Sequence, residues 1–351
     1  MPDLDGPSGV AVWESDTWRV TALAWMDDRL AAAGIARLGD VEQPRVRPWA
    51  TVLRAPTTIG PVWMKAAAAD TAYEVGLYDV LVDVVPDGVI TPIATDAGRG
   101  WLLLPDGGPT LGDRTAGADR RAEQVAGLVD AVVRYGALQR ACRGGVPRLL
   151  DAGVPDMRPA RMCERFDEAV AATERFVENH GTPADRAAHA RVVALRSEFA
   201  GWCDRLSSSS LSASIDHNDL HPGNVLGAGP DTRFYDWGDA VVAHPFAAML
   251  VPLRYVAHLL DCDIHDDRVR DARDAYLDGF AALAPDEDLA ATLDVACRVA
   301  EVARALTWER AVAAARRDGV AVDDEWARAP LETLLSVLGD PPRRDQSVMC
   351  S

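Results

Sequence analysis

The sequence predicts an α+β chain of two lobes: a small, β-rich N-terminal lobe and a larger, mostly helical C-terminal lobe. Three observations carry this. Short apolar strands broken by one helix run from about Val46 to Leu104. The cluster Pro105-Asp106-Gly107-Gly108-Pro109 is the strongest breaker in the chain. Beyond it, helical periodicity dominates. The division is placed at 1–107 and 108–351, and 351 residues suffice for two such bodies.

Taken in order, Ser15 or Asp16 is placed to cap a helix running to about Ala33, with Val20, Leu23, Ala24 and Leu30 expected on its buried face. Thr51-Val52-Leu53-Arg54 and Val62-Trp63-Met64-Lys65 read as strands, and Pro56, Gly60 and Pro61 between them suit a hairpin. Asp70 to Leu81 reads as a helix. Val89-Ile90-Thr91-Pro92-Ile93 and Trp101-Leu102-Leu103-Leu104 read as two further strands. Past the breaker, Arg120 to Cys142 forms a long amphipathic helix and Pro159 to Ser207 holds two more. A strand-loop-strand region around 214–236 interrupts the helices, which then resume to about residue 338. One of these, Leu289 to Ala315, carries Trp308-Glu309-Arg310, expected to serve packing, with the lining of a substrate pocket as the alternative. Residues 1 to about 12 and 340 to 351 are expected to fray.

A net charge of −18 disfavours nucleic acid and anionic membranes, and is compatible with a cationic substrate. Six scattered cysteines without a C-x-x-C pair suit reduced thiols in the cytoplasm. The acidic start Met1-Pro2-Asp3-Leu4-Asp5 is unlike a signal peptide, and penultimate Cys350 makes no prenylation box. The apolar stretch from Ala240 to Leu260 contains His244, Pro245, Arg254 and His258, which suits a buried helix over a membrane span. Cys262 and His265 among Asp261, Asp263, Asp266 and Asp267 match no metal-ligand spacing and read as a solvated loop. No obligate protein partner is evident.

The chemistry is concentrated in His217-Asn218-Asp219-Leu220-His221-Pro222-Gly223-Asn224 and Tyr235-Asp236-Trp237-Gly238-Asp239. These read H-N-D-L-x-x-x-N and D-W-G, the order and spacing of a kinase catalytic loop and its metal-binding triplet. Phosphoryl transfer needs a carboxylate beside the attacking hydroxyl and oxygen ligands that hold Mg²⁺ against phosphates. Asp219 is the expected base, and Asn224 and Asp236 are the expected metal ligands. His217 is expected to brace the loop. Asp239 is a candidate for a second metal or a substrate amine, with a plain surface carboxylate as the alternative. Lys65 is the only lysine among 36 lysines and arginines, in the apolar run Pro61 to Ala66. A single ammonium kept in an arginine-biased chain suits a contact to donor phosphates. Glu74 is its expected partner, although Thr71-Ala72-Tyr73-Glu74 also fits a capping box. Adenine is expected at the lobe junction, against backbone groups of Leu104 and Asp106.

With these residues in view, the chain resembles the aminoglycoside phosphotransferase family, small-molecule kinases related to choline, fructosamine and macrolide kinases. The resemblance runs from about residue 45 to 310. It implies a bilobal protein-kinase-like fold, Mg²⁺ with ATP or GTP as donor, and phosphorylation of a hydroxylated small molecule. Whether that acceptor is an antibiotic or a metabolite stays open. No G-x-G-x-x-G precedes Lys65, so phosphate cover must come from elsewhere, with Thr51 as a candidate. Asn218 stands where protein kinases carry an arginine, and no A-P-E follows Asp236, which favours small acceptors over proteins. A catalytically silent nucleotide-binding scaffold is the second reading.

Overall fold

Three buried indoles organise the start of the N-terminal lobe. The computed structural model describes residue 6, residues 8–322 and residues 324–339. Helix α1 (Val10–Trp13) precedes α2 (Asp16–Ala32), which Ser15 caps by accepting the Trp18 N–H at 3.2 Å. Residues 10–12, expected to fray, are therefore part of a helix that buries Trp13; residues 1–5, 7 and 340–351 lie outside the described residues. The buried face of α2 is Trp18, Ala22, Trp25, Met26 and Leu30, whereas Val20 is 68% exposed and Ala24 is also exposed. The expected face was rotated because aliphatic periodicity was counted ahead of the larger apolar area of tryptophan.

Strands β1 (Glu42–Arg47), β2 (Ala50–Thr57) and β3 (Gly60–Ala67) form an antiparallel meander. After α3 (Tyr73–Val84), β4 (Ala94–Asp96) and β5 (Trp101–Pro105) complete a sheet of order β1-β2-β3-β5-β4. Register fixes what each face presents, because neighbours across strands point the same way. Arg45, Val52, Lys65 and Leu102 form one cross-strand row; Val46, Thr51, Ala66 and Trp101 form the next, on the opposite face. That opposite face packs against α1 and α2 through Leu53, Met64, Ala66, Trp101 and Leu103. Each large side chain buried there contributes about 1.5–3 kcal/mol. The strand expected at Val89–Ile93 does not form. Pro92 lacks an N–H for a ladder, and Val89 instead bridges to Phe234 of the other lobe.

The C-terminal lobe is helical around two small ribbons. Its helices are α4 (Leu111–Arg114), α5 (Arg121–Cys142), α6 (Val146–Asp151), α7 (Pro159–His180), α8 (Pro183–Ala194) and α9 (Arg196–Ser207). Residues 159–207 thus hold three helices where two were expected. The chain breaks at Gly181, and Thr182 with Asp185 closes a capping box that starts α8 anew. Strands β6 (Ser214–Asp216), β7 (Val225–Leu226), β8 (Arg233–Phe234) and β9 (Val241–Ala243) follow, pairing β6 with β9 and β7 with β8. Helices α10 (Leu250–Leu260), α11 (Asp267–Leu277), α12 (Leu289–Arg317) and α13 (Asp324–Leu335) finish the lobe.

In the 261–267 loop Asp266 caps α11 and pairs with Arg268. Among the described residues, no group of three or more His, Cys, Asp or Glu side chains converges to hold a metal. Among them, too, no helix is long and apolar enough to cross a membrane. Besides the junction at Pro105, the lobes meet at the end of α12. Arg317 pairs with Asp70, the Val10 N–H donates to Asp318 at 2.9 Å, and Trp49 stacks on Trp326 at 5.0 Å.

Candidate active site

Lys65 points from the cleft face of β3 toward the other lobe. Its Nζ lies 2.7 Å from Glu74 Oε2 on α3 and 2.6 Å from Asp236 Oδ1 in the segment after β8. Burial alone would discharge the ammonium, but the two carboxylates outweigh it and hold its pKa above the ordinary lysine value. In return, the Lys65 charge holds Asp236 below the usual carboxylate range. Burial pushes Glu74 upward against the same lysine. Glu74 Oε1 also accepts the Trp237 N–H at 3.0 Å, tying α3 to the D-W-G segment. The capping box does not form: Thr71 donates its hydroxyl to Trp49 O at 2.8 Å, and Ala72 takes the cap position without a side-chain bond. Gly238 is small for a reason. A Cβ there would lie 3.3 Å from Lys65 Nζ and 3.4 Å from Glu74 Oε2.

The two motif segments converge because β7 pairs with β8, setting Val225 opposite Phe234. Asn224 and Asp236 flank that ribbon. Asp236 adopts φ 62, the left-handed region that aspartate tolerates better than most residues, with 44% of its side chain exposed. The Asn224 amide donates to Asp219 O at 2.9 Å, which leaves its oxygen for the cleft. His217 donates from Nε2 to Tyr235 O at 2.9 Å and packs on Trp237, joining the loop to the D-W-G segment. Burial lowers its pKa and keeps the ring neutral. Beneath the loop, α5 supplies a polar brace. Tyr135 accepts the His217 N–H at 2.7 Å and Gln139 donates to Ile215 O at 2.9 Å. His221, without a role in the sequence reading, accepts the Gly223 N–H at Nδ1 and turns Nε2 toward Asp219 Oδ2, 3.6 Å away.

Sequence reasoning missed Arg304. It sits on α12, 4% exposed, and its guanidinium donates to Asp219 Oδ1 at 2.7 Å, Asp239 Oδ2 at 2.9 Å and Asn218 O at 2.8 Å. Burial would raise the Asp219 pKa, but Arg304, helped by His221, reverses the sign and leaves it well below the usual carboxylate range. Asp239 is correspondingly no plain surface carboxylate: it is engaged by Arg304, and burial raises its pKa. The only sequence signal was an arginine in an alanine-rich helix, flanked at three-residue spacing by Glu301 and Thr307.

Two further expectations are redirected. Thr51 is fully buried on the face away from the cleft, where its hydroxyl bonds Arg45 O and Gln43 at 2.9 Å, so it cannot cover phosphates. Arg45 occupies the cleft-facing row with Lys65 and lines the crevice. At the junction the Asp106 N–H already donates to Pro61 O at 3.1 Å, which leaves its carbonyl as the backbone group on offer. Leu104 stays partly buried, paired with Trp63. Trp308 and Arg310, for which packing was the first expectation and pocket lining the alternative, line the crevice beside Asp219 together with Trp49 and Trp326.

This geometry has known counterparts. The phosphotransferase enzyme family, APH, matches residues 64–285, well over half of the chain. The chain belongs to that family. No curated protein matches this phosphotransferase. Among solved structures it is similar to macrolide 2'-phosphotransferase type I, at 16% identity and TM-score 0.54, covering 90% of this chain and 97% of the other. It is similar as well to the GDP and kanamycin complex of APH(2")-IIia, at 14% identity, TM-score 0.56 and coverage of 90% and 99%. Choline kinase LicA from Streptococcus pneumoniae aligns at 10% identity, TM-score 0.56 and coverage of 91% and 99%. At these identities the likeness establishes the bilobal kinase-like fold, and the family match establishes a phosphotransferase.

Proposed function

We propose that the chain is a small-molecule kinase that transfers the γ-phosphoryl group of ATP or GTP, with Mg²⁺, to a hydroxyl of a small acceptor. The observation that carries this is the ion triad across the cleft: Lys65 within 2.7 Å of Glu74 and 2.6 Å of Asp236, with Asp219 and Asn224 on the same crevice. Lys65 is positioned for donor phosphates, with Arg45 in its cross-strand row supplying the cover that a glycine-rich loop would give. The adenine belongs at the junction beside Leu104 and the Asp106 carbonyl, where the lobes divide at 107/108.

The Asn224 oxygen and the unpaired oxygen of Asp236 are hard donors facing the cleft and would hold Mg²⁺, which needs only one or two protein ligands beside phosphates. The ion would neutralise charge on the phosphate oxygens. Asp219 orients the acceptor hydroxyl through Oδ2, since Arg304 occupies Oδ1. A carboxylate held this far below its usual range is a weak proton sink, so it accepts the proton late, as a loose transition state allows. A cytoplasmic site of action follows from the nucleotide donor.

The test is nucleotide consumption against a panel of aminoglycosides, macrolides, amino sugars, sugar acids and choline-like alcohols. Turnover with one class supports the reading; nucleotide binding with no transfer to any hydroxylated acceptor favours the silent scaffold. Lys65→Arg should cut transfer by at least about 10²-fold, because a planar fork cannot meet Glu74, Asp236 and a phosphate as a point charge does. Activity near wild type would remove Lys65 from the phosphates. ATP should raise the melting temperature only with Mg²⁺ present; a shift that persists in excess EDTA would count against Asn224 and Asp236 as ligands.

A further inference from the structure

The walls of the crevice beyond Asp219 have a charge pattern that bears on the acceptor. The carboxylates at the crevice share cations in pairs: Asp219 and Asp239 both bond Arg304, and Asp236 and Glu74 both bond Lys65. Glu309, next on α12, turns to another side of the helix, where Arg316 meets it at 3.2 Å. Arg310 is different. Its guanidinium lines the crevice and donates to Thr307 Oγ1 at 2.9 Å, and among the described residues no carboxylate lies within ion-pair distance of it.

A guanidinium carries five N–H donors in a planar fork, and it selects carboxylate or phosphate oxygens in pairs. Arg310 therefore holds unused donors, without a direct ion pair, where the acceptor must lie, on the opposite lobe from Arg45. Indoles surround it. Trp308 meets Trp326 edge-on at 5.6 Å, and Trp326 stacks on Trp49. Arg304 already lies over the Trp308 ring at 5.5 Å, and Trp49 and Trp326 each turn one face to the other. An acceptor ammonium entering here would find a fixed cation, carboxylates already bonded to Arg304 or Lys65, and ring faces largely taken.

Resting on the kinase reading above, we propose that the acceptor carries an anionic group, carboxylate or phosphate ester, beside its reactive hydroxyl. Arg310 binds that group, and the carbon skeleton lies along Trp308 and Trp326.

The test titrates tryptophan fluorescence of the protein loaded with Mg²⁺ and AMP-PNP, using D-glucose, D-glucosamine, D-glucuronate and D-glucose 6-phosphate as matched probes. Either or both anionic probes should bind at least about tenfold more tightly than the neutral and amino sugars, and comparison of the two separates carboxylate from phosphate. Arg310→Gln should erase that preference while AMP-PNP affinity and melting temperature hold. The proposal is overturned if glucosamine matches the anions, if no probe registers, or if Arg310→Gln keeps the preference. Weakened AMP-PNP binding in Arg310→Gln would also overturn it, by assigning the guanidinium to the donor. If AMP-PNP fails to bind the wild type, the kinase reading falls separately. Anion titrations of the nucleotide-free wild type and Arg310→Gln then still decide the role of Arg310.

Discussion

Replacing Asp219 by asparagine should lower phosphoryl transfer by about 10²–10⁴-fold, the usual contribution of a positioned base. Nucleotide affinity should stay close to wild type, because Lys65, Asn224 and Asp236 are untouched. Asparagine keeps the shape and one oxygen for Arg304, so the loop should hold its place. The position of Asp219 sets the pH behaviour as well. Burial alone would raise its pKa, but Arg304 draws it below the ordinary carboxylate range, so the wild type should show no acidic limb there from this residue. The measurement is steady-state transfer to whichever panel acceptor turns over, with melting temperature as the control for folding. An Asp219→Asn enzyme within threefold of wild type would remove the residue from the reaction.

Arg304→Met should give the largest loss of stability. Arg304 is buried between Asp219 and Asp239, and its removal leaves two carboxylates facing each other without a counter-charge. Breaking a buried pair by deleting one partner costs about 3–5 kcal/mol. Denaturant unfolding should register that loss, and adding Asp239→Asn to Arg304→Met should restore part of it by removing one stranded charge. Equal stability of wild type and Arg304→Met would mean that the Arg304 pairs with Asp219 and Asp239 are not formed in solution. Activity should fall too, since Arg304 fixes one oxygen of Asp219 and turns the other to the cleft.

The fold class was legible because local signals agreed with one another. The β2–β3 hairpin, the junction at Pro105 and the helices α5 and α12 are written in turn residues and periodicity. Where two local codes competed, the sequence misled. Pro92 sat in an apolar run that otherwise suits a strand, and tryptophans outweighed aliphatic residues on α2. Thr51 was assigned to the cleft by proximity to the turn, whereas strand parity sends it to the other face.

What the sequence determined by itself was the kinase-like architecture and the residues that meet in the cleft: Lys65, Glu74, Asp219, Asn224 and Asp236. Asp219, Asn224 and Asp236 fall in two short segments joined by one hairpin, which leaves the backbone little choice, and Lys65 and Glu74 sit on neighbouring elements of the other lobe. Only the tertiary structure decided which cations accompany them. Arg304 and Arg310 lie on one helix, and turning that helix by a single residue, about 100°, would carry Arg304 away from Asp219. That rotation is set by packing of α12 against α7 and α9, far back in the sequence, as well as against the following α13, and no local spacing encodes it.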